Sequence, residues 1–327
     1  MIDEYGGCLP LESIEINNNP FNNYPCCTYN TGRSAILGAI ENYGAKCIWI
    51  PFYLCPSVKR FLNNFGILVK EYYLTKEYLP KIEKIANEDM ILWTNWYGCM
   101  KEDTIDSVIE KFGKQLIFDN AQALFYFPDF EKRECYYVFS CRKFIGVPDG
   151  AYLVQRNLDK KKTRELDRQE SNWSYLEKAR YLGANSQYLS YQKNEESFDD
   201  KYADMSCLTK EYLKAISWNS IKKIRKDNFI RMHEKLKEYN ELDVDYSSDT
   251  PFMYPFLCRS NDRLRKYLLS KNIYVPTWWK YLLQVEAEDM LEFRLTKYLI
   301  PIPIDQRYNL DEVEMVADMI IDYLENN

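Results

Sequence analysis

The chain carries one histidine, His233, among 327 residues. It has no C-x-x-C pair, no apolar run long enough to span a membrane, no internal repeat and no excess of basic charge. Each absence excludes a class of chemistry. His233 sits in the stretch Asn228-Phe-Ile-Arg-Met-His-Glu-Lys-Leu-Lys, whose charged, helical spacing marks a helix-surface residue. Ser-His-Asp, Cys-His and multi-histidine zinc sites therefore lack their parts. Ten cysteines are scattered, and adjacent Cys26-Cys27 suits neither an ordinary disulfide nor a zinc site. No metal is expected. With 43 basic against 49 acidic residues the formal charge is −6, which argues against a general nucleic-acid binder. The start, Met-Ile-Asp-Glu-Tyr-Gly-Gly-Cys, lacks a basic segment followed by an apolar one, so no signal peptide is read. Reduced thiols in a cytoplasm, with no membrane partner, are the expectation.

What is present is the mix of a globular protein with a sizeable core, 46% hydrophobic and 28% charged. The first half alternates in period. The spacing predicts helices over 34–43, 57–65, 78–86 and 104–112, the third of them weak. Strand-like segments lie at 47–51, 67–74, 90–95, 115–119, 136–140 and 151–154. Such β-α alternation predicts an α/β fold with a mostly parallel sheet covered by helices, whose ligands gather at the carboxyl ends of the strands. Residues 159–237 are charged and helical; a strand at 251–258, a helix at 263–271, a strand at 298–304 and a closing helix at 311–325 complete a smaller α+β part. The division is placed at 1–215 and 216–327.

Three polar groups follow strands or open helices. In Thr31-Gly32-Arg33-Ser34-Ala35 the glycine permits close backbone approach, and the free N–H groups of a helix start favour a phosphate; a plain N-cap is the ordinary alternative. Asp119 ends the apolar strand Leu116-Ile-Phe-Asp119, where a carboxylate is costly unless paired, or else caps the next helix. Lys143 follows Tyr137-Val-Phe-Ser140-Cys-Arg142, in a segment continuing Phe-Ile-Gly-Val. A lysine there either snorkels from an apolar surface or, desolvated, loses its proton easily enough to act as a nucleophile. A phosphate cup, a strand-end aspartate and a lysine about twenty residues later form the order expected of a pyridoxal phosphate enzyme. That cofactor needs an anchor for its phosphate, a carboxylate for its ring nitrogen and an amine for its aldehyde.

The chain resembles the DegT/StrS-type sugar aminotransferases. The resemblance rests on Gly32-Arg-Ser-Ala, Ile50-Pro-Phe-Tyr-Leu-Cys55-Pro-Ser, Trp93-Thr-Asn95-Trp-Tyr-Gly98, Phe118-Asp119-Asn-Ala-Gln122-Ala and Phe139-Ser140-Cys-Arg-Lys143-Phe. Ile273-Tyr-Val-Pro-Thr-Trp-Trp and Ile302-Pro-Ile-Asp-Gln-Arg307-Tyr resemble the same family's C-terminal part. It implies a fold-type I transferase, with a mostly parallel seven-stranded sheet in the large domain and a smaller α+β domain. It implies Lys143 as the residue joined to the pyridoxal phosphate aldehyde, and Asp119 against the ring nitrogen. Gln122 would lie near the ring hydroxyl, and Gly32, Arg33 and Ser140 at the phosphate. Tyr53, with Phe52 as its rival, would stack on the ring. Asn95 and Trp96 would stand at the pocket wall or serve as strand-end packing. Arg307 would meet an acidic substrate group or form a surface salt bridge. Ser140 and Lys143 are closer together than the family commonly has them, and no histidine replaces the lysine as in dehydratase relatives.

The reading is an aminotransferase that passes an amino group from an amino acid, glutamate in many relatives, to a keto-sugar carried on a nucleotide. Its context would be amino-sugar or surface-polysaccharide synthesis, and its state a homodimer. The alternatives are a lyase or dehydratase with the same cofactor, and a non-catalytic binding protein of the same fold.

Overall fold

The computed structural model describes residues 16–130, 132–159, 166–168, 170–244, 251–259, 261–284 and 289–326. The segment examined for a signal peptide lies outside them. Strands β1 (Cys26–Tyr29), β2 (Cys47–Pro51), β3 (Leu68–Tyr72), β4 (Asp89–Thr94), β5 (Leu116–Asn120), β6 (Tyr136–Ser140) and β7 (Ala151–Val154) form one sheet in the order β1-β7-β6-β5-β4-β2-β3. Every pairing from β6 to β3 is parallel, whereas β7 runs antiparallel to both β6 and β1. The seven-stranded, mostly parallel sheet expected above is therefore what the chain forms.

Composition explains the order. β4, β5 and β6 are buried at every position, as strands with helices on both faces must be. β3 carries Lys70 and Glu71 and stands at the edge, where charge blocks further pairing. Helix α1 (Gly32–Tyr43) starts on Thr31, whose side chain accepts the Ser34 N–H, and stops at Gly44 with φ 90°. Helix α2 (Pro56–Asn64) opens on proline, and α3 (Glu102–Phe112) on two acids that suit its positive end.

Two sequence expectations fail for local reasons. No helix forms over 78–86: Tyr78 takes φ 63°, and Leu74 pairs with Pro80 in an isolated antiparallel bridge. β1 goes unread because Cys26, Cys27 and Thr28 are only partly buried and form no apolar run like that of the equally short β7.

Helices α4 (Ser174–Leu182), α5 (Tyr188–Glu196) and α6 (Cys207–Ala215) lead to the 19-residue α7 (Trp218–Leu236). Beyond it β8 (Tyr254–Leu257) pairs antiparallel with β9 (Leu299–Ile302), flanked by α8 (Asn261–Ser270), α9 (Leu291–Tyr298) and α10 (Leu310–Asn326). α9, absent from the sequence reading, delivers Glu292, whose carboxylate accepts the Leu74 N–H of the large sheet's flank at 2.6 Å. His233 is half-buried rather than on the surface: α7 brings its Nδ1 within 3.3 Å of the Tyr254 hydroxyl.

One helical contact gives a test with an unusual sign. A Cβ at Gly38 of α1 would overlap the hydroxyl and ring of Tyr29, which is fully buried. Alanine normally stabilises a helix interior by about 1 kcal/mol over glycine. Gly38→Ala is expected instead to lower unfolding stability by about 1–3 kcal/mol through overpacking, measured by urea denaturation.

Candidate active site

The adjacent parallel strands β5 and β6 end side by side, with Asp119 opposite Val138 in register. Asp119 is buried, and one carboxylate oxygen accepts the Ala121 N–H at 2.8 Å, which holds it in the turn after the strand. Lys143 follows β6 by one short 3-10 turn, Cys141–Lys143. Its side chain is exposed to solvent.

Each group shifts the other. Burial pushes the Lys143 ammonium below the ordinary lysine range, and the Asp119 carboxylate opposes the shift. Burial raises Asp119, and the Lys143 charge opposes that. Together they set a carboxylate and an amine of lowered proton affinity within electrostatic reach of each other, just past neighbouring strand ends.

The start of α1 reaches the same place. A Cβ on Gly32 would lie 3.8 Å from Cβ of Ser140, so the glycine at the helix N-terminus stands against the end of β6. The leading N–H groups of Gly32 and Arg33 lie beyond the helix's own hydrogen-bond ladder and point outward with its dipole. The Arg33 side chain turns aside: Nη1 pairs with Asp199 at 2.9 Å and Nη2 donates to the Glu195 carbonyl at 3.4 Å. Arg142, next to the lysine, pairs with the carboxylate of the same Glu195. The segment 195–201 is thus clasped across the back of the phosphate-type cup, with the Lys201 carbonyl accepting from Asn30 and Ser34.

Gln122 completes the central group. Its Oε1 accepts the N–H of Tyr97 at 2.8 Å, which fixes its carboxamide after β5. Tyr97 holds φ 64°, and its carbonyl accepts the Phe252 N–H at 2.8 Å from the second sheet's side. Phe252 brings its ring centroid to 6.0 Å from Lys143 Nζ. Sequence reasoning missed Tyr97, Phe252 and the Arg142–Glu195 pair. The sequence marks none of them; each depends on which loop crosses which strand end.

The structure brings Asp119 near Lys143 and Gly32 against Ser140, and the other proposed residues have the following partners. Tyr53 is wholly buried, with its hydroxyl 3.1 Å from that of Tyr97 and its ring edge-on to Trp279, so no face is left for a cofactor ring. The chain bends inward after β2 and takes Tyr53 into the core. Phe52 instead packs edge-on against Tyr73 and Tyr281. Asn95 uses its side chain as loop scaffold, accepting the Met100 N–H at 3.3 Å and donating to Asn120 at 3.3 Å. Trp96 is fully buried against Trp93 and Tyr78. Both residues follow the strand-end packing alternative. Arg307 is exposed and grips Asp305 through two hydrogen bonds of 2.7 and 2.8 Å, the salt-bridge alternative. Among the described residues there is no cluster of metal-ligating side chains.

Solved structures share this architecture. The chain is similar to a DegT DnrJ EryC1 StrS aminotransferase from Brucella abortus, at 12% identity and TM-score 0.59, over 94% of this chain and 91% of that one. It is similar to the sugar aminotransferase CalS13 from Micromonospora echinospora, at 14% identity and TM-score 0.62, over 92% and 88%. It is also similar to the putative sugar aminotransferase Spr1654 from Streptococcus pneumoniae in its PMP form, at 12% identity and TM-score 0.63, over 95% and 93%. No protein-family model and no curated protein sequence matches the chain. At these identities the likeness is one of fold, which is the fold-type I architecture of those aminotransferases.

The charge pairing predicts a measurable titration. An amine-reactive label scored by peptide mapping is expected to modify Lys143 with a pH midpoint below that of the other lysines. Asp119→Asn removes the charge that favours the ammonium, so the midpoint falls further. An unchanged midpoint in the variant contradicts the pairing.

Proposed function

We propose that the protein is a pyridoxal phosphate-dependent aminotransferase acting on a keto-sugar. The observation that carries this reading is the convergence of Asp119 and Lys143 at neighbouring strand ends beside the Gly32–Ser140 contact. The donor set fits the cofactor part by part. The Gly32 and Arg33 N–H groups and the Ser140 hydroxyl would hold the phosphate, Asp119 would face the ring nitrogen, and Gln122 would sit at the ring's oxygen. When bound, pyridoxal phosphate supplies an electron sink for bond-breaking at the substrate carbon.

The chain's own residues do the rest. Asp119 keeps a negative charge at the floor of the site, where its low-dielectric setting makes that charge effective. Lys143 would hold the cofactor's aldehyde carbon through Nζ and, as a free amine, would accept and return the proton at the substrate carbon. The depressed proton affinity of Lys143 is what such a shuttle requires at neutral pH. In this reading residues 1–215 carry the cofactor and 216–327 bring Phe252 over it. The amino donor is an amino acid such as glutamate, and the acceptor is a nucleotide-linked keto-sugar in amino-sugar or surface-polysaccharide synthesis in the cytoplasm. Lys143 favours transamination over the dehydratase alternative.

A homodimer belongs to the same reading. Helices α4 and α5 leave Tyr181, Leu182, Tyr188, Leu189 and Tyr191 exposed, Leu189 by 72%. Contiguous apolar surface of this kind marks an interface, and a two-fold pair is the commonest way to cover it.

Two measurements test the proposal. Borohydride reduction of protein reconstituted with pyridoxal phosphate is expected to leave a pyridoxyl group on the Lys143 peptide; an adduct on another lysine overturns the assignment. Glutamate alone is expected to bleach the visible absorption and release one equivalent of 2-oxoglutarate. Lys143→Ala is expected to abolish both, a loss of about 10⁴-fold or more in turnover while the fold persists. Sedimentation of Leu189→Asp as a monomer, against a wild-type dimer, checks the interface.

A further inference from the structure

Four aromatic side chains stand in sequence beside the Lys143 amine. Phe252 lies 6.0 Å from Nζ, centroid to atom, and 6.0 Å from the Trp278 ring at an interplanar angle of 25°. Trp278 stacks in turn on Tyr97, at 6.0 Å and 26°, and contacts Trp279 at 5.7 Å. Phe252, Trp278 and Trp279 are half-buried, whereas Tyr97 beneath them is fully buried. The array therefore has a closed back and a partly open front.

Its backbone is held from both sides. The Phe252 N–H donates to Tyr97, and its carbonyl accepts from Arg225 Nη1 at 3.1 Å. Arg225 is anchored by Gln306 at 2.8 Å, and Gln306 donates to the Phe144 carbonyl, one residue past the lysine. Trp279, at φ 51°, and Tyr97, at φ 64°, are bulky residues in the left-handed region. Such strain persists where neighbours over-determine it, and it concentrates at functional sites. The second sheet's side thus sets a rigid aromatic surface against the reactive amine.

The charges nearby are already matched. Arg33 and Arg142 pair with Asp199 and Glu195, Arg307 with Asp305, and Arg225 with two oxygen acceptors. What the half-buried Phe252 and Trp278 leave accessible is aromatic surface, which suits the C–H face of a saturated ring.

We propose that Phe252 and Trp278 form the platform on which the amino acceptor's pyranose ring lies, and that they select the acceptor by its C–H face. The proposal rests on the aminotransferase reading above and adds the group that reads the second substrate. Phe252 and Trp278 are positioning and specificity residues here, distinct from the lysine that carries out the proton transfer.

The test separates the two half-reactions in full-length protein reconstituted with pyridoxal phosphate. The first is bleaching by L-glutamate. The second is recovery of the absorption on adding nucleotide-linked 3-keto and 4-keto hexoses, of which the best substrate is used. Phe252→Leu and Trp278→Leu are expected to lower kcat/KM for the keto-hexose by roughly tenfold or more, chiefly through KM, relative to their effect on the glutamate step. Phe252→Tyr keeps a ring and is expected to recover most of the loss. Equal effects on both half-reactions, or a changed visible absorption before substrate is added, overturn the proposal and assign the rings to the cofactor. No change in either half-reaction also overturns it. Recovery of wild-type absorption by an acyclic 2-oxo acid but by no keto-hexose overturns it as well. A wild-type protein that never reacts with glutamate overturns the aminotransferase reading instead, and is recognised before any sugar is added.

Discussion

The site depends on one charge relation, that between Asp119 and Lys143. The protein around them raises the proton affinity of the buried carboxylate and lowers that of the amine, and each group opposes the other's shift. The sheet makes the relation possible. Two parallel strands, β5 and β6, place their carboxyl ends at one level, so residues far apart in sequence meet in one cavity. The antiparallel β7 then returns the chain toward β1, and α1 directs its N-terminus at the same level. Cup, carboxylate and amine are three consequences of a single strand order.

The second sheet acts on the first through backbone contacts more than through side-chain charge. Tyr97 is the joint: its N–H is held by Gln122 and its carbonyl by Phe252. A displacement of Tyr97 would move both the Gln122 carboxamide and the ring beside Lys143. The 195–201 clasp plays the corresponding part on the other flank, where Asp199 and Glu195 neutralise Arg33 and Arg142. Arg142 lowers the proton affinity of the neighbouring lysine, since like charge disfavours the ammonium.

Much of this was legible in the sequence, and physics accounts for the division. Buried parallel strands read as apolar runs, so the polar residue that ends a run, such as Asp119, announces itself. Lys143 is visible for the same reason, as is the helix start at Thr31-Gly32. Tyr53 misled because a tyrosine after a strand end has no sequence mark saying whether it turns to the cavity or the core; its hydroxyl contact with Tyr97 decides that. Phe252 was hidden because it reaches the amine from the far part of the chain, and a contact of that range leaves no local period. Arg307 shows the same limit in reverse: an arginine after a strand advertises a ligand contact, while its partner Asp305 lies two residues away.

The first strand has a consequence for how the molecule is made. β1 pairs only with β7, Cys26 opposite Val154 and Tyr29 opposite Ala151. As the nascent chain leaves the ribosome, these early residues wait for a partner synthesised more than a hundred positions later, a separation that slows closure. Helix α1 rests on β1, β6 and β7, so its start cannot take its final place before β7 has been made, although its residues are translated near the beginning.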